Sequence, residues 1–222
     1  MSLDSSAELW RPLAVQGREP LQTLETKQRI LDKSIELFRT SDYEDVNITE
    51  ICAFAQISVG NFYNHFASKE ALLMELYPSF DTYVEKEFIF LKFDSNLDAI
   101  KHLIYRQTLA AEDLGSKVYS QVLRVQIKNH GKFVIEDTRP FHIHLRKLVQ
   151  NALDDGELIK RYTADEIASL LLKISRGTLL DWAMREVSYS ITEQALHNID
   201  MFLNSVSRDS SRESNTKISQ KP

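Results

Sequence analysis

The chain has 222 residues, a formal net charge of −5, 43% hydrophobic and 27% charged residues. These are globular proportions that exclude a disordered chain, and the acidic balance does not advertise a nucleic-acid partner. One cysteine excludes an internal disulfide and any cysteine-rich metal site, while only 6 Gly and 5 Pro favour helices over many short strands.

Residues 1–22 show no periodicity and contain Pro12, Gly17 and Pro20, so a flexible arm is expected, with Arg11 and Arg18 as tail residues able to touch DNA. From Leu24, the apolar residues Ile30, Leu31, Ile35, Leu37 and Phe38 recur at helical spacing, predicting a helix to about Arg39. Thr40 to Asp45 reads as a turn. Asn47 with Glu50 makes a capping box for a second helix ending near Ala55. Gln56-Ile57 is the next turn, and Ser58 is the N-cap of a third helix that ends near His65. Ser68 caps a fourth, extending toward Phe93 with a kink or break at Pro78.

Later helices are predicted over Asn96–Glu112, Lys117–Asn129, Arg139–Leu153, Ala164–Val187 and Thr192–Ser205, separated by Gly- and Ser-rich punctuation. The fold class is therefore all-α: an arm (1–22), an N-terminal helix-turn-helix unit (23–70), a larger helical domain (71–206) and a polar, disordered tail (207–222). No run of about 18 apolar residues marks a membrane span. The N-terminus lacks the basic-then-apolar pattern of a signal peptide, so a reducing, cytoplasmic location is expected.

The segment N-I-T-E-I-C-A-F-A-Q-I-S-V-G-N-F-Y-N-H-F-A-S-K, Asn47 to Lys69, carries the chemistry. A helix-turn-helix needs a small apolar core, and Ile48, Ile51, Cys52, Ala55, Ile57, Phe62 and Phe66 supply it. It needs hydroxyls or backbone N–H groups aimed at phosphates, which the capped starts at Asn47, Thr49 and Ser58 provide. It also needs an outward face for base edges. Val59, Gly60, Asn61, Tyr63, Asn64 and His65 are too polar, small or aromatic for a core stripe on so short a helix. Asn pairs with adenine in the major groove and Val meets a thymine methyl, while Tyr63, His65 and Lys69 suit the sugar-phosphate edge. Cys52 is read as a small core residue.

Charge stands against this reading. Between Glu25 and Glu75 there are five basic and nine acidic residues, so affinity from phosphate neutralisation is expected to be modest.

Ile57-Ser58-Val59-Gly60-Asn61-Phe62-Tyr63-Asn64-His65-Phe66, followed by Ser68-Lys69-Glu70-Ala71-Leu72, resembles the DNA-binding domain of TetR/AcrR regulators over roughly residues 24–76. The family usually has Gly where this chain has Asp42 and Gln56, both sites suited to a left-handed backbone, and Thr is commoner at Asn61. The resemblance implies that Thr49, Tyr63 and Lys69 hold phosphates. It places Val59, Gly60, Asn61, Asn64 and His65 at base edges or the nearby backbone. It further implies a homodimer on a near-palindromic double-stranded operator, usually repressing, with a small-molecule effector in the C-terminal helices. The stretch from Asp154 to Ala183 resembles the family's penultimate helix. Ile167, Leu170, Leu171, Ile174 and Leu179, with Ile199, Phe202 and Leu203, offer apolar surface for a dimer seam.

Polar or aromatic residues within apolar helices are the pocket candidates: His102, Tyr105, Tyr119, Gln126, His142 and Trp182. His142 and His144, two apart, splay on a helix and are read as surface, so no metal is expected. No cofactor signature, nucleophile elbow or phosphate loop is present, which argues against an enzyme. The remaining alternative is a helical adaptor whose helix-turn-helix binds protein, favoured by the acidic N-terminal segment.

Overall fold

Twenty residues, Leu21–Thr40, form α1, with Ile30, Leu31, Ile35 and Phe38 buried along one side at helical spacing. The computed structural model describes residues 21–185 and 189–208. Arg11 and Arg18 lie outside those residues, as does most of the polar tail. Residues 21 and 22, expected in the arm, are instead the start of α1.

Then come α2 (Ile48–Phe54) and α3 (Val59–His65), both short and both capped as their sequence demands. Asn47 Oδ1 accepts from the Glu50 N–H at 2.9 Å, and Ser58 Oγ accepts from the Asn61 N–H at 3.1 Å. Between them Gln56 adopts φ 55°, the left-handed conformation the turn requires, without the glycine that would adopt it free of strain. Asp42, by contrast, is not among the described residues with positive φ, so only one of the two suspected left-handed sites is real.

The fourth helix is not continuous to Phe93. It divides into α4 (Lys69–Met74) and α5 (Leu76–Lys86), followed by one 3-10 turn, Phe88–Phe90. The break falls at Glu75, upstream of Pro78. A proline ring collides with the carbonyl four residues back, here Met74, and has no N–H to bond it. Pro78 itself sits comfortably in the first turn of α5, where N–H groups are unpaired anyway.

Five longer helices follow: α6 (Asn96–Leu114), α7 (Ser116–Lys128), α8 (Pro140–Asp154), α9 (Ala164–Met184) and α10 (Ile191–Val206). Their limits track the sequence reading to within a few residues, because Ser95, Thr163 and Ser190 cap their starts. Thr163 and Glu166 make a reciprocal capping box. Residues 207 and 208, assigned to the tail, are tied back: the Ile159 N–H donates to Val206 O and the Arg208 N–H donates to Glu157 O.

Two cores result. One, in α6, α8, α9 and α10, gathers Ile100, Leu103, Leu145, Val149, Leu171 and Ile199. The other holds Phe38, Ile51, Cys52, Phe62 and Leu72, and is completed by Val118, Val122 and Val125 of α7. Each such large side chain, fully buried, contributes about 1.5–3 kcal/mol. The core of the helix-turn-helix unit therefore extends beyond the first four helices. Burial also pushes the Cys52 thiol pKa upward, so it is a packed, protonated core group.

Among the described residues no helix is long and apolar enough to cross a membrane.

Candidate nucleic-acid interface

Phe62 and Phe66 anchor α3, their ring centroids 5.8 Å apart in the core, and this fixes which face of the helix looks outward. The outward set is Val59, Gly60, Tyr63 and Asn64, all exposed, with Asn61 and His65 half-buried at its edges. Tyr63 is 54% exposed and leans edge-on against Phe62, at 5.6 Å and 88°, which restricts its ring without burying its hydroxyl. Val59 and Gly60 lie in the first turn, ahead of the first intrahelical bond, so their N–H groups face outward with the positive end of the helix. Thr49 is exposed in the corresponding turn of α2.

Two expected contacts are partly engaged within the protein. The Asn47 side-chain oxygen is committed to its cap. Lys69 Nζ donates to Val46 O at 2.6 Å and to Tyr43 O, and stands 4.2 Å from the centre of the Tyr43 ring. Its first role is thus to hold the loop before α2, which leaves one of three ammonium protons for an outside acceptor. Desolvation accordingly lowers its pKa, opposed by Asp45.

The acidic excess in the N-terminal helices faces another way. Asp42 pairs with Lys117 at 2.8 Å, Glu70 with Lys128 at 2.7 Å and Glu44 with Arg124, so three carboxylates meet three α7 cations. Glu75 pairs with Lys27 and Glu36 with Lys33. Each exposed pair contributes little stability, on the order of 0–1 kcal/mol. Their effect on the field matters more, since these carboxylates are neutralised away from α3. A charge count confined to residues 25–75 misses α7 and overstates the repulsion a phosphate would feel.

Gly60 has no structural need to be glycine. A Cβ built there would meet only Ser58 Oγ, at 4.0 Å. Gly60→Ala should therefore raise stability by about 1 kcal/mol, the helix-propensity difference. If a duplex backbone approaches this turn, the same change should weaken DNA binding. Urea unfolding and a binding titration on one preparation check both signs, and an alanine variant that binds undiminished would remove Gly60 from the interface.

The pocket candidates scatter. His102 packs with Phe93 at 5.2 Å and Tyr105 at 6.0 Å. Gln126 is locked, donating to Met74 Sδ and accepting from the Val134 N–H. His142 is buried rather than at the surface, so the pairing with half-exposed His144 is corrected. Its Nδ1 lies 2.7 Å from Glu136 O, and its Nε2 3.0 Å from Arg176. Desolvation first, then Arg139 and Arg176, lower its pKa to about 4, so it is neutral, with Nδ1 the donor.

Tyr119 alone of the six lines a small internal cavity of ≈ 40 Å³ between α5, α6 and α7, and the Trp182 ring packs tilted against it, 6.2 Å between centroids. Tyr77, Gln107 and Arg139 also line it and were missed by sequence reading. Arg139 forks onto Asp81 at 2.8 and 3.0 Å, an ion pair almost fully buried. Among the described residues no group of three or more His, Cys, Asp or Glu is placed to hold a metal.

The expected dimer seam also needs correction. Ile167, Leu171, Leu179, Ile199 and Leu203 point into the protomer's own core. Leu170 is exposed, and Ile174 and Phe202 are half-buried. The outward stripe on α9 runs Leu170, Lys173, Gly177, Leu180, Met184, continued on α10 by Gln194, His197 and Met201. An open groove of ≈ 640 Å³ runs along it, lined by Lys173, Gly177 and Asn198 among others.

Comparison with known proteins places these features. Residues 30–76 match the family described as bacterial regulatory proteins, tetR family. The chain is 30% identical over 165 residues to the uncharacterized HTH-type transcriptional regulator YerO of Bacillus subtilis, covering 64% of this chain and 50% of that protein. It thus spans about half the length of that relative. It is 22% identical over 170 residues to the HTH-type transcriptional regulator UidR of Escherichia coli K12, covering 70% of this chain and 81% of that one. In fold it is similar to the transcriptional regulator FadR from Bacillus subtilis in complex with stearoyl-CoA. The TM-score there is 0.62 at 16% identity, over 80% of this chain and 98% of that one.

Proposed function

We propose that the chain, whose residues 30–76 match the tetR family of bacterial regulatory proteins, is a transcriptional repressor of that family that grips a near-palindromic operator as a homodimer. Residues 23–70 serve as the reader and 71–206 as the helical effector and dimerisation domain. A small molecule bound among the C-terminal helices releases the DNA. Val59, Gly60, Asn61, Asn64 and His65 face base edges or the adjoining backbone, while Asn47, Thr49, Ser58, Tyr63 and Lys69 secure phosphates. One observation carries this reading: Phe62 and Phe66 are buried while the helix's polar and aromatic residues are left outside, with Tyr63 more than half exposed. A helix in the major groove needs that division.

Two readers require two subunits, and α9 offers a surface for pairing. Gly177 lies within its exposed stripe, and a Cβ there would meet nothing within 4 Å. A glycine inside a helix costs about 1 kcal/mol against alanine. Close approach of the same helix from a partner across a two-fold axis offsets that cost.

The test is fluorescence anisotropy on a duplex selected by the protein from a random pool, at several salt concentrations. Binding should weaken as salt rises, through released counterions. Tyr63→Ala should lose roughly 10- to 100-fold in affinity, about 1.4–2.7 kcal/mol, with an unchanged melting temperature. If Tyr63→Ala bound as tightly as the parent, α3 would not be the reading helix. Absent or salt-insensitive binding would instead favour a protein-binding adaptor.

A further inference from the structure

Charge and hydrogen-bonding capacity do not balance around the cavity between α5, α6 and α7. Arg139 spends its guanidinium on Asp81 and lies 5.0 Å over the Tyr77 ring. Arg176, from α9, has no carboxylate at ion-pair distance among the described residues. It donates to Val134 O at 2.5 Å and lies 3.0 Å from the neutral His142. It sits near enough to Tyr77, Tyr119 and Arg139 for each charge to be felt by the others. Asp137 also attracts it but is almost wholly in solvent. The site therefore holds two cations and one buried anion, an excess of one positive charge.

The Tyr77 hydroxyl, in the cavity wall, is buried and has no hydrogen-bond partner. Burial pushes its pKa up to about 12 and raises that of Tyr119 well above its usual value, so both phenols stay protonated as donors. An unpaired buried donor and a half-buried cation with no carboxylate beside it are both unfavourable. One ligand atom group cures both faults: an anion.

We propose that this cavity takes an amphipathic monoanion, a carboxylate on an apolar body, that accepts from the Tyr77 hydroxyl in the cavity wall and is drawn by the positive charge of Arg139, which lines it, and of Arg176 beyond it. The inference rests on the reading of the protein as a ligand-released regulator and names the class of effector. One excess positive charge matches a carboxylate better than a phosphate, which carries nearly two negative charges at neutral pH. The apolar body lies against Leu76, Phe80, Ala110, Leu114 and Val122. At ≈ 40 Å³ the space admits little more than water, whereas ligand pockets usually span about 300–1,000 Å³. Entry therefore displaces α5 or α7. Because α7 completes the reader's core, that displacement reaches α1 and α4.

The experiment uses the full chain without DNA and two matched probe pairs: 4-phenylbutyrate against 4-phenylbutanol, and octanoate against octanol, by titration calorimetry. Each carboxylate should bind at least tenfold more tightly than its alcohol. Tyr77→Phe removes only the unpartnered hydroxyl, so it should fold with an unaltered melting temperature and lose about tenfold for carboxylates alone. Arg176→Gln should abolish the preference and Arg176→Lys should retain part of it. Equal binding of alcohol and acid, carboxylate affinity undiminished in Tyr77→Phe, or no binding of either acid up to 5 mM would each overturn the proposal. A parallel anisotropy titration separates the two ideas. Carboxylates that bind but leave DNA affinity untouched uphold the site and sink the effector reading. Alcohols that release DNA as well as acids uphold the effector reading and sink the anion site.

Discussion

If the protein pairs along α9 as proposed, Leu180→Arg should convert that dimer to a monomer and reduce affinity for the proposed operator by roughly 100-fold or more, since linking two modules contributes about 10²–10⁴ in avidity. Leu180 is exposed in the middle of the α9 stripe, between Gly177 and Met184, and contributes to no core of its own protomer. A two-fold axis brings each such position close to its own copy, so one substitution sets two like charges in an apolar contact. The melting behaviour of the isolated subunit supplies the control, because a surface arginine in α9 leaves the buried face intact. Light scattering after size exclusion reads the oligomeric state directly. A Leu180→Arg protein that remained dimeric would move the interface off this stripe.

Arg139→Ala should destabilise the larger domain by about 3–5 kcal/mol, because it strands the Asp81 carboxylate. The side chains are only 7% and 14% exposed, so solvent relieves little of that cost. For a chain of this size each kcal/mol shifts the melting temperature by about 2–4 °C, which predicts a drop of roughly 6–20 °C. Replacing both partners with apolar residues, Asp81→Leu with Arg139→Met, should recover most of the loss. Thermal unfolding of the two single variants and the pair makes the cycle. A loss under about 1 kcal/mol in Arg139→Ala would mean that water reaches Asp81.

The helices were legible in the sequence wherever a cap and an apolar period coincided. Asn47, Ser58, Ser68, Ser95, Thr163 and Ser190 mark helix starts because their side-chain oxygens accept N–H groups that have no partner inside the helix. The break at Glu75 was misplaced because a proline disturbs the carbonyl four residues behind it, so the helix parts before the residue that causes it. The outward face of α9 was misread for a different reason. The stretch L-L-L-K-I-S-R-G-T-L-L in α9 is apolar on more than one face, and its period alone does not say which face meets α6 and α8 and which meets another chain. Leu170 was on the exposed side; Leu171, one residue on, was not.

At the cavity the sequence reading followed aromatic and histidine residues and passed over Arg176, although an arginine in so apolar a run was the available signal. Its meaning depends on Asp81, Tyr77 and Arg139 from two other helices, and no spacing in the chain records that meeting. The local charge count was incomplete likewise, because Lys117, Arg124 and Lys128, which pair with Asp42, Glu44 and Glu70, come from a helix that it left out. The exposed face of α3 was legible because its period and its outward chemistry agree.

Because Val118, Val122 and Val125 finish the hydrophobic centre beneath the first four helices, the DNA-reading head is not a detachable cartridge. A chimera spliced at residue 70 or 76 would inherit an open apolar floor. Grafting this specificity onto another scaffold has to carry the strut at 116–128, or a substitute for its three valines, along with it.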